Sequence, residues 1–365
     1  MSQKNLIVDI RAAMNKSFAE RNDVVDGLLV ALLAKEMIFL LGPPGTAKSA
    51  VSDALCKALG GNYFNWLISK VTTPDELFGS VSIEGLKQNR YERVTTNKLP
   101  EAHIAFLDEI FKGSSAILNT LLPIINERKF FNGSSPTKIP LQVLIGASNE
   151  IPSSEELGAL FDRFALRYEV DRIQSEDAMA DLFRNGLQVS IPSMTLEQLE
   201  VEQVAAMKLT MSEDVIALLI ILRKAINDAG FQVSDRKWMQ SVKILKAYAY
   251  LNGRTEVDAV DFEILANVLW NEPGKKKEVA RIIAKITNPI GEIIMKVLDG
   301  VNEVYMNLEA SKIQPTDAAN KIKTAINQLQ KAGDPKNNEK LKCAIDKCRK
   351  IQTNILRDHL GFIDT

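Results

Sequence analysis

The stretch Gly42-Pro43-Pro44-Gly45-Thr46-Ala47-Lys48-Ser49 constrains the fold of this chain more than any other. The apolar run Met37-Ile38-Phe39-Leu40-Leu41 precedes it and reads as a buried strand, and Ala50 to Leu59 reads as a helix. A strand that turns through a glycine-bounded loop carrying Lys-Ser into a helix is a phosphate-binding arrangement. Gly42 and Gly45 let the backbone turn tightly and approach phosphates closely. The free N–H groups of the loop and the helix start at Ala50 supply partial positive charge. Lys48 is placed to reach the β and γ phosphates and Ser49 to ligate Mg²⁺. The general pattern has glycine at position 47, where this chain has Ala47. Residues 42 to 50 are therefore the candidate nucleotide-binding set.

Three further stretches complete the chemistry. Ile104-Ala105-Phe106-Leu107-Asp108-Glu109 ends a buried strand in two carboxylates. Asp108 suits the metal, and Glu109 suits orienting and deprotonating an attacking water. Val143 to Ser148 is another strand, and Asn149 leaves it pointing where a γ-phosphate and its water would sit. In Leu160-Phe161-Asp162-Arg163-Phe164, Arg163 reads either as a local partner of Asp162 or as a finger into a neighbouring subunit's nucleotide site. The second reading requires a ring, because each finger serves the next copy.

Strand candidates 37–41, 63–67, 103–108, 141–147 and 166–170 alternate with helical patterns, which predicts a five-stranded parallel sheet with helices on both faces. From about 175 the pattern is helical only, over 175–186, 197–208, 212–228, 235–251 and 257–270. Beyond Glu272-Pro273-Gly274, amphipathic helices are expected at 277–308, 316–331 and 336–360, with a loop at 332–335. Their stripes, Val279, Ile283, Ile290, Ile294, Val297 and Val301, then Leu341, Ile345, Cys348, Ile351 and Ile355, predict a helical hairpin or three-helix unit, alone or as a partner platform. The expected domains are 1–172 (α/β nucleotide-binding core), 173–271 (all-α lid) and 272–365 (helical extension). Lys+Arg at 45 and Asp+Glu at 46 leave a net charge of -1, which argues against nucleic acid as the default partner. No apolar run approaches the ~20 residues of a membrane span. Three cysteines and an N-terminus unlike a signal peptide point to a reducing, cytoplasmic setting.

Taken together, residues 42–49, 104–109, Asn149 and Arg163 resemble the AAA+ ATPases. More narrowly, 99–112, 115–122 and Thr73-Pro-Asp-Glu-Leu-Phe-Gly79 resemble the MoxR group, and 86–93 with Ser234-Asp-Arg-Lys-Trp238 resemble its RavA-like branch. The resemblance spans about residues 5–271. It implies an ATPase using ATP and Mg²⁺, assembled as a homo-oligomeric, hexameric ring with chaperone-like action on a protein client. A von Willebrand A-domain partner is implied as well. It implies that Arg236 is the second-sensor arginine reaching the γ-phosphate in cis, and that Val24 and Val25 open the adenine pocket, although apolar core accounts for them equally. Residues 71–100 match an insertion in the second core helix, with 79–83 and 90–95 as its two strands. Residues 128–140 match a hairpin with Asn132-Gly133 as its turn. Arg128 is either a further sensor or a structural ion-pair residue. Alternatives are a nucleic-acid motor, a chelatase motor subunit and a nucleotide-gated scaffold. The hairpin, with Lys129 and Lys138 but also Phe130 and Phe131, does not decide among them.

Overall fold

The structure is a computed structural model. It describes residues 6–360 except 134, 152–154, 187–188, 288, 311, 334 and 336–338. Parts of three expected features lie outside the described residues: the turn partner at 134, the loop at 334, and the last helix's start at 336–338.

Among the described residues seven strands are present: β1 (Ile38–Leu41), β2 (Tyr63–Leu67), β3 (Ile104–Asp108), β4 (Lys129–Asn132), β5 (Ser135–Lys138), β6 (Val143–Ser148) and β7 (Leu166–Glu169). Five of them form one sheet in the order β2-β3-β6-β1-β7, with every pairing parallel. The central strands are near-continuous apolar runs because helices cover both faces, and every residue of β6 is buried. The register pairs Leu41 with Ser148 and Leu67 with Asp108. Gly42, Asp108 and Asn149 therefore leave the sheet at one edge, its C-terminal edge. Residues 36–37, 103, 142 and 164–165 enter at the other.

The helices are α1 (Leu6–Ser17), α2 (Asn22–Ala34), α3 (Lys48–Ala58), α4 (Pro74–Phe78), α5 (Ile83–Lys87), α6 (Ser115–Glu127), α7 (Glu155–Arg163), α8 (Glu176–Asn185), α9 (Leu196–Met207), α10 (Glu213–Asp228), α11 (Asp235–Leu251), α12 (Lys276–Thr287), α13 (Pro289–Glu309), α14 (Pro315–Ala332) and α15 (Glu339–Leu360). The segment expected as one helix over 277–308 is thus seen as α12 and α13, on either side of residue 288. Residues Ala259–Asn267 form a 3₁₀ helix, which Asp258 caps. Among the described residues no helix is long and apolar enough to cross a membrane.

The chain divides into two compact units. One contains residues 1–215 and 231–276, and the other contains 216–230 and 277–365. In the first unit, α2 is buried along almost its whole length and is packed by α9 and α11. In the second, α13, α14 and α15 form a three-helix core. Val301, Ile322, Leu329, Leu341, Ile345, Cys348 and Ile355 meet there.

The insertion differs from expectation. The two strands predicted at 79–83 and 90–95 reduce to a single antiparallel bridge between Val81 and Arg93, and residues 83–87 are helical. Ser82 caps that helix by accepting from the Gly85 N–H, which withdraws the backbone from a longer ladder. The insertion is instead held to the β4–β5 hairpin. The Asn132 side chain accepts from the Arg93 N–H (2.7 Å) and donates to the Arg93 carbonyl (3.1 Å). Phe78 stacks on Phe130 at 5.7 Å.

Candidate nucleotide-binding site

The phosphate loop is built by the end of β1 and the start of α3. Its entry is fixed by the Gly42 N–H donating to the Ser148 carbonyl, 3.0 Å away at the end of β6. A Cβ on Gly42 would lie 2.2 Å from the Val170 carbonyl, so only glycine passes there. Ala47 adopts φ +66°, the left-handed conformation that glycine takes without strain. The turn keeps its usual shape despite alanine, and the backbone carries the strain.

Lys48 donates to the Gly42 carbonyl (2.7 Å) and the Pro43 carbonyl (2.9 Å), which keeps its ammonium inside the loop. Burial lowers its pKa, and the nearby carboxylates of Asp108 and Glu109 oppose that shift. One cation and two carboxylates from separate strands are thus brought together. Asp108 accepts from the Glu109 N–H at 3.0 Å. Glu109 sits at φ +53°, a strained backbone for a side chain of its size. Its Oε2 is buried without a hydrogen bond, and the Lys112 ammonium stands 3.3 Å away but outside hydrogen-bond geometry. Asn149 is exposed immediately after β6, on the same edge.

Beside the loop lies a cavity of about 830 Å³, lined by Phe18, Arg21, Gly45, Thr46, Ala47, Ile173, Met179 and Leu182 among others. That size and apolar wall suit a purine base. Val24 and Val25 do not line it. They are buried in α2, where helical periodicity turns them into the core. Arg21, which no motif marks, closes the cavity. It donates to the Thr46 carbonyl (3.3 Å) and the Asp171 carbonyl (2.5 Å), tying the loop to the chain leaving β7. The residues present fit a nucleoside triphosphate: loop amides and Lys48 would hold phosphates, and Ser49 and Asp108 would hold Mg²⁺, which would neutralise phosphate charge.

Arg163 and Arg236 lie elsewhere. Both line a cavity of about 990 Å³ with Glu36, His103, Arg128 and Gln142, residues at or near the N-terminal edge of the sheet. No residue of the phosphate loop lines it. The two guanidinium groups are close enough that Arg236 helps lower the pKa of Arg163, second to burial. Strands of four to six residues, roughly 13–20 Å at ~3.3 Å per residue, lie between this edge and the edge of the loop, where Arg236 is expected to reach a γ-phosphate in cis. Arg128 lines the same cavity. It donates to the carbonyls of Ile125, Lys35 and Leu141, and burial lowers its pKa to about 10. Its acceptors are three backbone carbonyls, where an ion pair was one of the two expectations.

Comparison with known proteins follows this geometry. Residues 5–210 match the family model described as the MoxR domain in the MoxR-vWA-beta-propeller ternary systems. The chain belongs to the MoxR family of AAA+ ATPases. Residues 214–283 match the AAA lid domain. Two uncharacterized proteins of Methanocaldococcus jannaschii resemble this MoxR-family chain. One is 42% identical over 316 residues, covering 85% of this chain and 84% of the relative. The other is 40% identical over 302 residues, covering 82% and 78%. The chaperone MoxR1 of Mycobacterium tuberculosis is 23% identical over 268 residues, covering 68% and 70%. A crystal structure from Cytophaga hutchinsonii, of a protein provisionally called an ATPase, shares the fold with a TM-score of 0.62. At 18% identity it covers 77% of this chain and 93% of its own.

Proposed function

We propose that this MoxR-family chain hydrolyses ATP at the interface between copies in a ring and uses the cycle to remodel a protein client. The observation that carries the reading is the split of the machinery between two edges of one sheet. Lys48, Asp108 and Glu109 meet at the C-terminal edge, whereas Arg163 and Arg236 stand together at the other. A site needing both sets is complete only when one copy's arginine edge meets the next copy's loop. Such a head-to-tail contact closes into a ring, here taken as six-membered.

In this reading Lys48 and the loop amides hold the phosphates, and Ser49 and Asp108 hold Mg²⁺, which would neutralise developing phosphate charge. Glu109 takes the proton of the attacking water. Asn149 orients that water, while Arg163 and Arg236 of the neighbouring copy stabilise charge in the transition state. The matched family model names a von Willebrand A partner and one relative is called a chaperone, which supports a protein client and such a partner here. On the hairpin, Lys129 pairs with Glu127 at 2.9 Å and Phe131 is exposed, a surface better suited to polypeptide than to a phosphodiester backbone. The RavA-like placement rests on residues 86–93 and 234–238 alone.

Mixing two inactive variants tests the interface. Glu109→Gln rings keep the arginines, and Arg163→Ala rings keep the base. Equal mixtures are expected to regain ATPase activity that neither variant shows alone. Mixtures as inactive as their parts would sink the shared-site reading.

A further inference from the structure

We infer that Lys237, assisted by Arg167, is a positioning residue that welds Arg163 and Arg236 into one rigid two-arginine unit; this rests on the interface reading above. Lys237 opens α11 directly after Arg236, and it is only 2% exposed. Its ammonium donates to the Asp162 carbonyl (2.7 Å) and the Phe164 carbonyl (2.8 Å), the residues on either side of Arg163. Arg167, fully buried in β7, grips the same segment from the sheet. It donates to the carbonyls of Phe161 (3.1 Å) and Phe164 (3.2 Å), and its guanidinium lies 4.1 Å from the Phe161 ring centroid. The Asp162 carboxylate stands 3.7 Å from Arg167 and 3.8 Å from Lys237, between two buried cations, and Glu36 acts on Lys237 as well.

This arrangement is costly for packing alone. Two desolvated cations beside one half-exposed carboxylate contribute less than apolar side chains of the same volume would. Burial, and then the charge of Arg167, drive the pKa of Lys237 well below its ordinary value. What the pair provides is position. Three of the four carbonyls from Phe161 to Phe164 are held by buried cations, while the head of Arg163 is left lightly held. Among the described residues Arg163 donates to the Ala159 carbonyl, and its Nε is buried without a partner. The backbone beneath the arginine is fixed and the guanidinium remains available. The weld also opposes repulsion between Arg163 and Arg236, which would otherwise drive the lid helix away from α7.

The test uses the full chain with Lys237→Met, with Lys237→Gln as a second variant that retains a donor. ATP binding is expected to stay within about twofold of the parent, because the loop lies at the other sheet edge. The kcat is expected to fall at least about tenfold, since small misplacement of a charge-stabilising group has effects of that size or more. Mixed in equal amounts with Glu109→Gln, each variant should recover toward about one quarter of parental activity, the share of head-to-tail interfaces that pair an intact base with an intact arginine edge. A purely structural lesion would not be rescued by a partner whose own base is missing. Parental activity in both variants overturns the inference, as does lost activity that mixing does not restore while Arg163→Ala is restored. If neither variant binds ATP, Lys237 serves folding and the inference falls. If Arg163→Ala itself is not rescued, the interface reading fails first, and this inference fails with it.

Discussion

The two edges of the central sheet solve opposite electrostatic problems. At the C-terminal edge a lysine is drawn toward two carboxylates, so unlike charges attract and the loop needs only a tight turn to gather them. At the N-terminal edge two arginines are pressed together, and buried cations and a shared carboxylate hold the backbone under them. The first edge is complete within one chain. The second gathers two arginines in a cavity that Glu36, Glu127, Glu197 and Glu200 also line. The contrast explains how one chain carries parts that its own geometry keeps apart.

Substitutions break this comparison in order of expected size. Arg163→Ala should lower kcat about 10³-fold or more, as for other trans-acting arginines, with ATP affinity kept; steady-state ATPase assays and nucleotide titration separate the two. Glu109→Gln should cost about 10²–10⁴-fold in kcat by removing the proton acceptor, and it differs from Arg163→Ala in which partner rescues it. Arg128→Ala leaves the carbonyls of Ile125, Lys35 and Leu141 without their donor. It should lower unfolding free energy by about 2–4 kcal/mol in denaturant melts. Gly42→Ala pushes a methyl into the Val170 carbonyl and should weaken ATP binding by about 1–3 kcal/mol, leaving the arginine edge able to rescue a partner. Ala47→Gly should relax the left-handed strain and raise stability by at most about 1 kcal/mol, read as a small rise in melting temperature.

The strands of the sheet were legible within one or two residues because a parallel sheet buried on both faces leaves uninterrupted apolar runs such as Val143–Ser148. The loop, Asp108 and Glu109 were legible because their chemistry is local: each follows its strand directly. The insertion was not, because Gly79-Ser-Val-Ser-Ile is short and the Ser82 side chain competes for the backbone. The cis role of Arg236 came from the resemblance of residues 234–238, and a linear pattern marks the start of a helix but not which edge of a sheet the helix faces. Lys237 lay inside a quoted stretch, yet a lysine in sequence looks like solvent-facing charge until its burial is seen. Arg21 reaches the loop only through the fold and has no motif of its own.

The amide of Asn132 gives two segments 39 residues apart a common fate. Losing it strands both polar groups of Arg93 at once, so neither the hairpin nor the insertion can fray alone without exposing the other.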